Sequence, residues 1–129
     1  MTTALVAAWL AFACGASSDT TGLKEGKSLT VESDTKQVTM EITAEDHDLA
    51  QGRNNFLVRF DPPTTVLVSA TAFMPVHGHA TPAAPKISEQ DGGYLISNFI
   101  FSMPGLWNIT LDVAVDAKAD KVAFSLDVP

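Results

Sequence analysis

In the stretch "LWNITLDVAV" every second residue from Trp107 to Val115 is apolar: Trp107, Ile109, Leu111, Val113 and Val115, with Asn108, Thr110 and Asp112 between them. A side-chain period of two belongs to a strand with one buried face; on a helix the same residues would point in all directions. The pattern recurs along the chain. "QVTMEIT" sets Val38, Met40 and Ile42 against Thr39, Glu41 and Thr43, and "NNFLVRF" sets Phe56, Val58 and Phe60 against Leu57 and Arg59. "TTVLVSATAF" aligns Val66, Val68, Ala70 and Ala72, and "KVAFSLDV" aligns Val122, Phe124, Leu126 and Val128. "YLISNFIF" is apolar on both faces, with Leu95, Phe99 and Phe101 opposite Tyr94, Ile96 and Ile100. A weaker strand, "SLTVES", precedes these.

The breaks "GRNN", "DPPT", "DGG", "MPG" and "DAKAD" are rich in turn-forming residues. No window of helical length shows the i, i+3, i+4, i+7 spacing, and "AEDHDLAQG" offers one helical turn at most. About seven short strands in about a hundred residues predict an all-β, antiparallel sandwich of immunoglobulin-like or fibronectin-like type. Trp107 is then expected as a core anchor between the two sheets. With 129 residues, 46% of them hydrophobic, the chain is long enough for one domain whose core needs no disulfide. It has only Cys14, so an intrachain disulfide is impossible in any case.

Charge narrows the function classes. Fifteen acidic residues against eight basic ones leave a net charge of −7, with no basic cluster to offset it. Such a chain repels phosphate backbones, so no nucleic-acid partner is expected. No serine or cysteine nucleophile stands beside a histidine. There is no glycine-rich phosphate loop and no close carboxylate pair in an apolar setting. A binding role is expected rather than an enzyme.

The N-terminal region implies export. The ten-residue apolar run at 4–13 is too short for the about twenty residues of a spanning helix, and it fits the core of a secretory signal. Cys14 ends it and is followed by "GASSDTTG", which resembles a bacterial lipoprotein signal, where the cysteine becomes the acylated first residue. The alternative is an ordinary secretory signal in which Cys14 is incidental. The expected organisation is a signal at 1–13, a flexible tether at 14–28 and the folded domain at 29–129, held at the periplasmic or cell surface by a lipid anchor.

The chemistry concentrates in "FMPVHGHATPAAP". His77 and His79 flank Gly78, Met74 lies just upstream, and Pro75, Pro82 and Pro85 punctuate the segment. Pro75 cannot donate to a ladder, so the strand is expected to end near Met74. With one residue between them in extended geometry, both imidazoles would point to one side. A second soft residue, Met103, stands in "FSMPG", where another Met-Pro pair ends a strand. If both corners share one pole of the sandwich, Met74, His77, His79 and Met103 form a thioether and imidazole set suited to Cu(I) and, in a histidine-rich arrangement, to Cu(II). Zinc prefers thiolate, imidazole and carboxylate, and calcium needs several carboxylates, which the loop lacks. The structural alternative is that the methionines fill gaps in the core and the histidines brace a turn. His47, among acidic neighbours in "AEDHDL", is expected to be a solvated loop residue.

"FMPVHGHATPAAP", "DGGYLISNFIF" and "SMPGLWNITLDV" together resemble the YtkA-like domain family over roughly residues 36–128, and through it the similar FixH-like proteins. The resemblance implies an immunoglobulin-like sandwich, a lipoprotein or membrane-tethered setting, and a link to copper handling or oxidase assembly. On this sequence the shared motif falls on Met74, Pro75, His77, Gly78 and His79, then Met103, Pro104, Gly105 and Trp107; Ala80 stands where similar domains often have glycine. The expected partners are a metal ion or another envelope protein. The competing expectation is a metal-free interaction module of an envelope complex.

Overall fold

A computed structural model of the chain describes residues 23–129; the expected signal, Cys14 and the first part of the expected tether lie outside the described residues. Nine strands are assigned among the described residues: β1 Ser28–Glu32, β2 Thr39–Ala44, β3 Gly52–Asp61, β4 Val66–Met74, β5 His79–Ala80, β6 Lys86–Gln90, β7 Gly93–Phe101, β8 Gly105–Val115 and β9 Lys118–Val128. They form two sheets, in the orders β1-β2-β3-β7-β6 and β5-β4-β8-β9, and all neighbouring strands are antiparallel. Leaving aside β1 and the two-residue β5, β2-β3-β7-β6 faces β4-β8-β9 as the four-strand sheet of an immunoglobulin constant-type sandwich faces its three-strand sheet. The chain is an all-β two-sheet sandwich, as its alternation predicts.

The expected faces of β2, β3, β8 and β9 are the ones that build the core. Val38, Met40, Ile42, Phe56, Val58, Phe60, Ile109, Leu111, Val113, Val122, Leu126 and Val128 are all buried. Trp107 is fully buried on β8, and its ring centre lies 5.3 Å from that of Phe101 on β7 in the opposite sheet. Phe99 stacks on Phe101 at 5.2 Å and meets Phe56 edge-on at 5.8 Å. These rings fill the interior between the sheets at this level.

Two strands depart from simple alternation, each at a β-bulge. On β4 the register passes from Leu67 opposite Val113 to Ser69 opposite Asp112, so Val68 is an extra residue. Leu67 therefore turns inward while Val66 and Val68, expected on the core face, are exposed; Ala70 and Ala72 remain buried. The Ser69 hydroxyl donates to Asp112 Oδ2 at 2.7 Å, which occupies the polar side of the kink. On β7 the shift lies opposite Asn54 and Phe56, and Asn98 takes a left-handed φ of 56°. Asparagine tolerates that conformation better than most residues. The inward set becomes Ile96, Phe99 and Phe101, with Leu95, expected beside the phenylalanines, only half-buried. Both corrections have one cause: an extra residue advances the chain without turning it to the other face.

β6 was not expected from the sequence. Its burial is confined to partial cover of Ile87 and Gln90, so as a polar edge strand it carries no alternation to read. The tether also ends earlier than expected. Leu23 is buried, its carbonyl accepts from Leu49 N–H at 2.7 Å, and Gly26 N–H donates to Ala44 O at 3.1 Å. Residues 23–28 therefore pack on the domain. Asp48 receives the Glu25 N–H at 2.8 Å, and this bond holds its carboxyl below the usual carboxylate range.

The edges of the two sheets are tied by Asp120 of β9. This buried carboxylate accepts from the Thr35 hydroxyl in the β1–β2 loop, and Asp34 N–H donates to Lys121 O at 2.8 Å alongside. The Thr35 hydrogen bond, helped by Ser33 and by the Lys121 and Thr35 N–H groups, lowers the Asp120 pKa below its ordinary 3.8. A lowered folded-state pKa gives stability that is present above the unfolded value and is lost as pH falls through the folded one. Asp120→Asn is expected to cost about 1–3 kcal/mol at pH 7. It should also flatten the decline in stability below pH 3.8, measured by urea unfolding at stepped pH. A second prediction concerns the β8–β9 hairpin, whose two-residue turn holds Asp116 and Ala117 at φ 50° and 62°. This is the conformation that glycine adopts freely. Ala117→Gly should raise stability by about 1 kcal/mol, seen as a higher midpoint in the same unfolding assay.

Candidate metal site

Pro75 stops β4 at Met74, where its missing N–H was expected to end the ladder. The chain then turns through 75–78 and returns as β5. Gly78 N–H donates to Met74 O at 2.9 Å, Met74 faces His79 in the register, and Phe73 faces Ala80. Gly78 has φ 65°, so the path between the histidines is a left-handed turn rather than the extended dipeptide expected. The outcome for the side chains is similar by a different route. The His77 and His79 rings lie 6.1 Å apart, inclined by 26°, and both residues are exposed.

The second Met-Pro corner meets the first. A Cβ built on Gly105 would stand 3.0 Å from Met74 Cε, so the Met74 methyl packs against the backbone at the start of β8. Gly105 has φ 127°, a conformation that also favours glycine. Trp107 Nε1 donates to Met103 O at 3.0 Å, which pins the 103–105 corner to the core. Both corners therefore stand at one pole of the sandwich.

The four expected ligands are not equivalent there. Met74 is only 2% exposed and belongs to the core, beneath the surface on which the two imidazoles lie. Met103 is partly buried, packed against the edge of that core. His47 lies apart on the loop after β2, exposed, with its Nδ1 2.6 Å from Asp48 O. Among the described residues no group of three His, Cys, Asp or Glu side chains converges on a metal-sized position. The pole therefore carries two exposed imidazoles, a core methionine at the end of β4 and a partly buried methionine just before β8.

The sequence reading missed the collar around this site. Phe73, Val76 and Leu106 are 46%, 78% and 40% exposed. Phe73 is paired with Asn108 on β8, two residues beyond Leu106, so both lie on the outer face of the sheet; Val76 sits in the turn between Met74 and His77. The signal was available in the sequence: residues 62–85 and 92–111 contain no Asp, Glu, Lys or Arg in a chain of net charge −7.

Comparison with protein-family models, with curated proteins and with solved structures finds no match. Fold and pole together define the class: an acidic two-sheet β-sandwich with paired surface histidines at one end.

The burial difference between the methionines gives a prediction. Met74→Ala should lower stability by about 2–5 kcal/mol, as for other buried large-to-small changes. Met103→Ala should lower it by less than half as much. Urea unfolding of the two variants beside the parent measures both.

Proposed function

We propose that the chain is an exported, lipid-anchored domain that binds copper at the Met/His pole and serves as a copper chaperone or buffer. His77 and His79 are the surface ligands, Met103 supplies a thioether at the rim, and Met74 stands beneath as the deepest donor. The observation that carries the reading is the closed Gly78 hairpin. It holds two exposed imidazoles 6.1 Å apart at the corner where both Met-Pro segments meet. Imidazole with thioether is a donor set that favours Cu(I), which is content with few ligands and soft sulfur. Exposed ligands also leave the ion accessible to an acceptor, which a carrier requires.

The resemblance of the two motif segments to YtkA-like domains points the same way, and Cys14 in its lipoprotein-like setting supplies the anchor. No helix among the described residues is long and apolar enough to cross a membrane.

A second reading is favoured by one observation, the exposed apolar collar of Phe73, Val76 and Leu106. In that reading the pole is a metal-free contact surface for an envelope protein, and Met74 is a core plug.

Competition for Cu(I) against a chromophoric chelator separates the two. His77→Ala and His79→Ala should each weaken binding by at least the roughly 10–100-fold that loss of an outer-shell partner costs, and Met103→Ala should weaken it as well. Parent-like affinity in all three variants would transfer the pole to the second reading.

A further inference from the structure

Strand pairing gathers four parts of the chain at the Met/His end. Gly105 pairs with Val128 and Phe73 with Asn108, which sets the start of β8 beside the ends of β4 and β9. In the other sheet Gly52 pairs with Phe101, so the 45–51 loop reaches the same end, and Gln51 Nε2 donates to Ser102 O at 3.1 Å across it. Leu23 is buried against that loop. Its carbonyl accepts from Leu49 N–H at 2.7 Å, and Glu25 bridges to Ala44. Leu23 thus fixes where the N-terminal segment joins the domain: at the end that carries His77 and His79. The opposite end carries the turns at 91–92 and 116–117.

Length then limits how an anchored domain can stand. Nine peptide steps separate Cys14 from Leu23. Fully extended, they span at most about 32 Å. β8, with 11 residues, runs about 35 Å from one end of the domain to the other. A lipid on Cys14 therefore keeps the Met/His end within reach of the bilayer. The far end could meet the bilayer only with the linking segment drawn taut along the whole length of the domain.

The Met/His end has side chains suited to that position. Val76, 78% exposed, sits in the turn before the histidines, and Phe73 and Leu106 are exposed on the outer sheet face beside it. Exposed aromatic and aliphatic groups settle into the headgroup boundary of a bilayer. Three side chains hold weakly alone, but an anchor that keeps them close raises their effective concentration at the surface. Carboxylates select the lipid. Exposed Asp127 is paired with Leu106, and Asp46 and Asp48 are exposed on the 45–51 loop. Anionic headgroups repel these groups, whereas a zwitterionic surface carries no net charge.

We infer that the Met/His end of the domain faces the membrane, with Phe73, Val76 and Leu106 resting on a zwitterionic lipid surface. This rests on the reading of Cys14 as the lipid anchor and adds which end of the domain meets the bilayer.

Nuclear magnetic resonance of the full mature chain, acylated at Cys14 and embedded in nanodiscs of phosphatidylcholine and phosphatidylethanolamine, tests it. Lipids with nitroxide headgroups erase the signals of amides that approach the surface. The expected result is loss of signal at 73–80 and 105–107, with signals at 91–92 and 116–117 retained. Val76→Asp should restore part of the signal at 73–80, and so should replacing part of the neutral lipid with phosphatidylglycerol. Equal loss at both ends, loss centred on 116–117, or loss unchanged by Val76→Asp would overturn the inference. So would a preferred end seen in native membranes but not in nanodiscs free of other proteins, which assigns that end to an embedded protein. The mass of the purified chain separates the failures. An acyl group on Cys14 with no preferred end defeats only the lipid-facing surface; an unacylated Cys14 defeats the anchor reading as well.

Discussion

The indole of Trp107 joins the two things this fold has to achieve. Its ring lies wholly within the core against Phe101, and through it β8 is fastened to the opposite sheet. Its one polar atom would be costly to bury alone. The bond from Nε1 to Met103 O at 3.0 Å satisfies it, and the same bond fixes the corner at which β8 begins. The requirement to satisfy a buried donor thus shapes the backbone at the pole. Gly105 follows at a φ that suits glycine and lets the Met74 methyl close against the chain. The end of β4, and the hairpin that carries His77 and His79, take their place from that contact.

The bulges show a related economy. Each inserts one residue into a strand of an otherwise regular sandwich and changes which side chains see water. On β4 the extra residue places Val66 and Val68 outside and Leu67 inside, while Ala70, Ala72 and Met74 keep the inward face that alternation gives them. Met74 is a buried plug because it is the last inward residue of that face. The histidines stand beyond the end of the strand and escape the constraint. Core packing and surface chemistry therefore meet between two neighbouring residues, Met74 and Pro75.

Charge follows a broader pattern. Among the described residues the acidic side chains lie on β1, β2, β3, β6, β8 and β9 and on the connecting loops, and Asp120 uses its carboxylate to tie the β1–β2 loop to β9. The β4–β5 hairpin and the 102–106 corner carry none of that charge themselves, but Asp127 of β9 is paired with Leu106, and the acidic 45–51 loop reaches Ser102 through Gln51.

Alternation alone determined that the chain is a two-sheet β-sandwich, which residues of β2, β3, β8 and β9 line its core, and that strands end at the two Met-Pro pairs. Those properties are local: side-chain period and the missing N–H of proline act within a few residues. Tertiary structure decided what depends on partners far along the chain. The inward faces of β4 and β7 needed the register against β8 and β3. Edge strand β6 exists because β7 is there to pair with it, and Leu23 is buried because the 45–51 loop receives it. At the site, the sequence identified the residue types, and the meeting of the two corners followed only from the sheet order that sets β4 beside β8. Met74 follows Ala70 and Ala72 inward by simple alternation; what spacing did not show is that Val66 and Val68 face outward, because the bulge at Val68 reverses the faces of the residues before it.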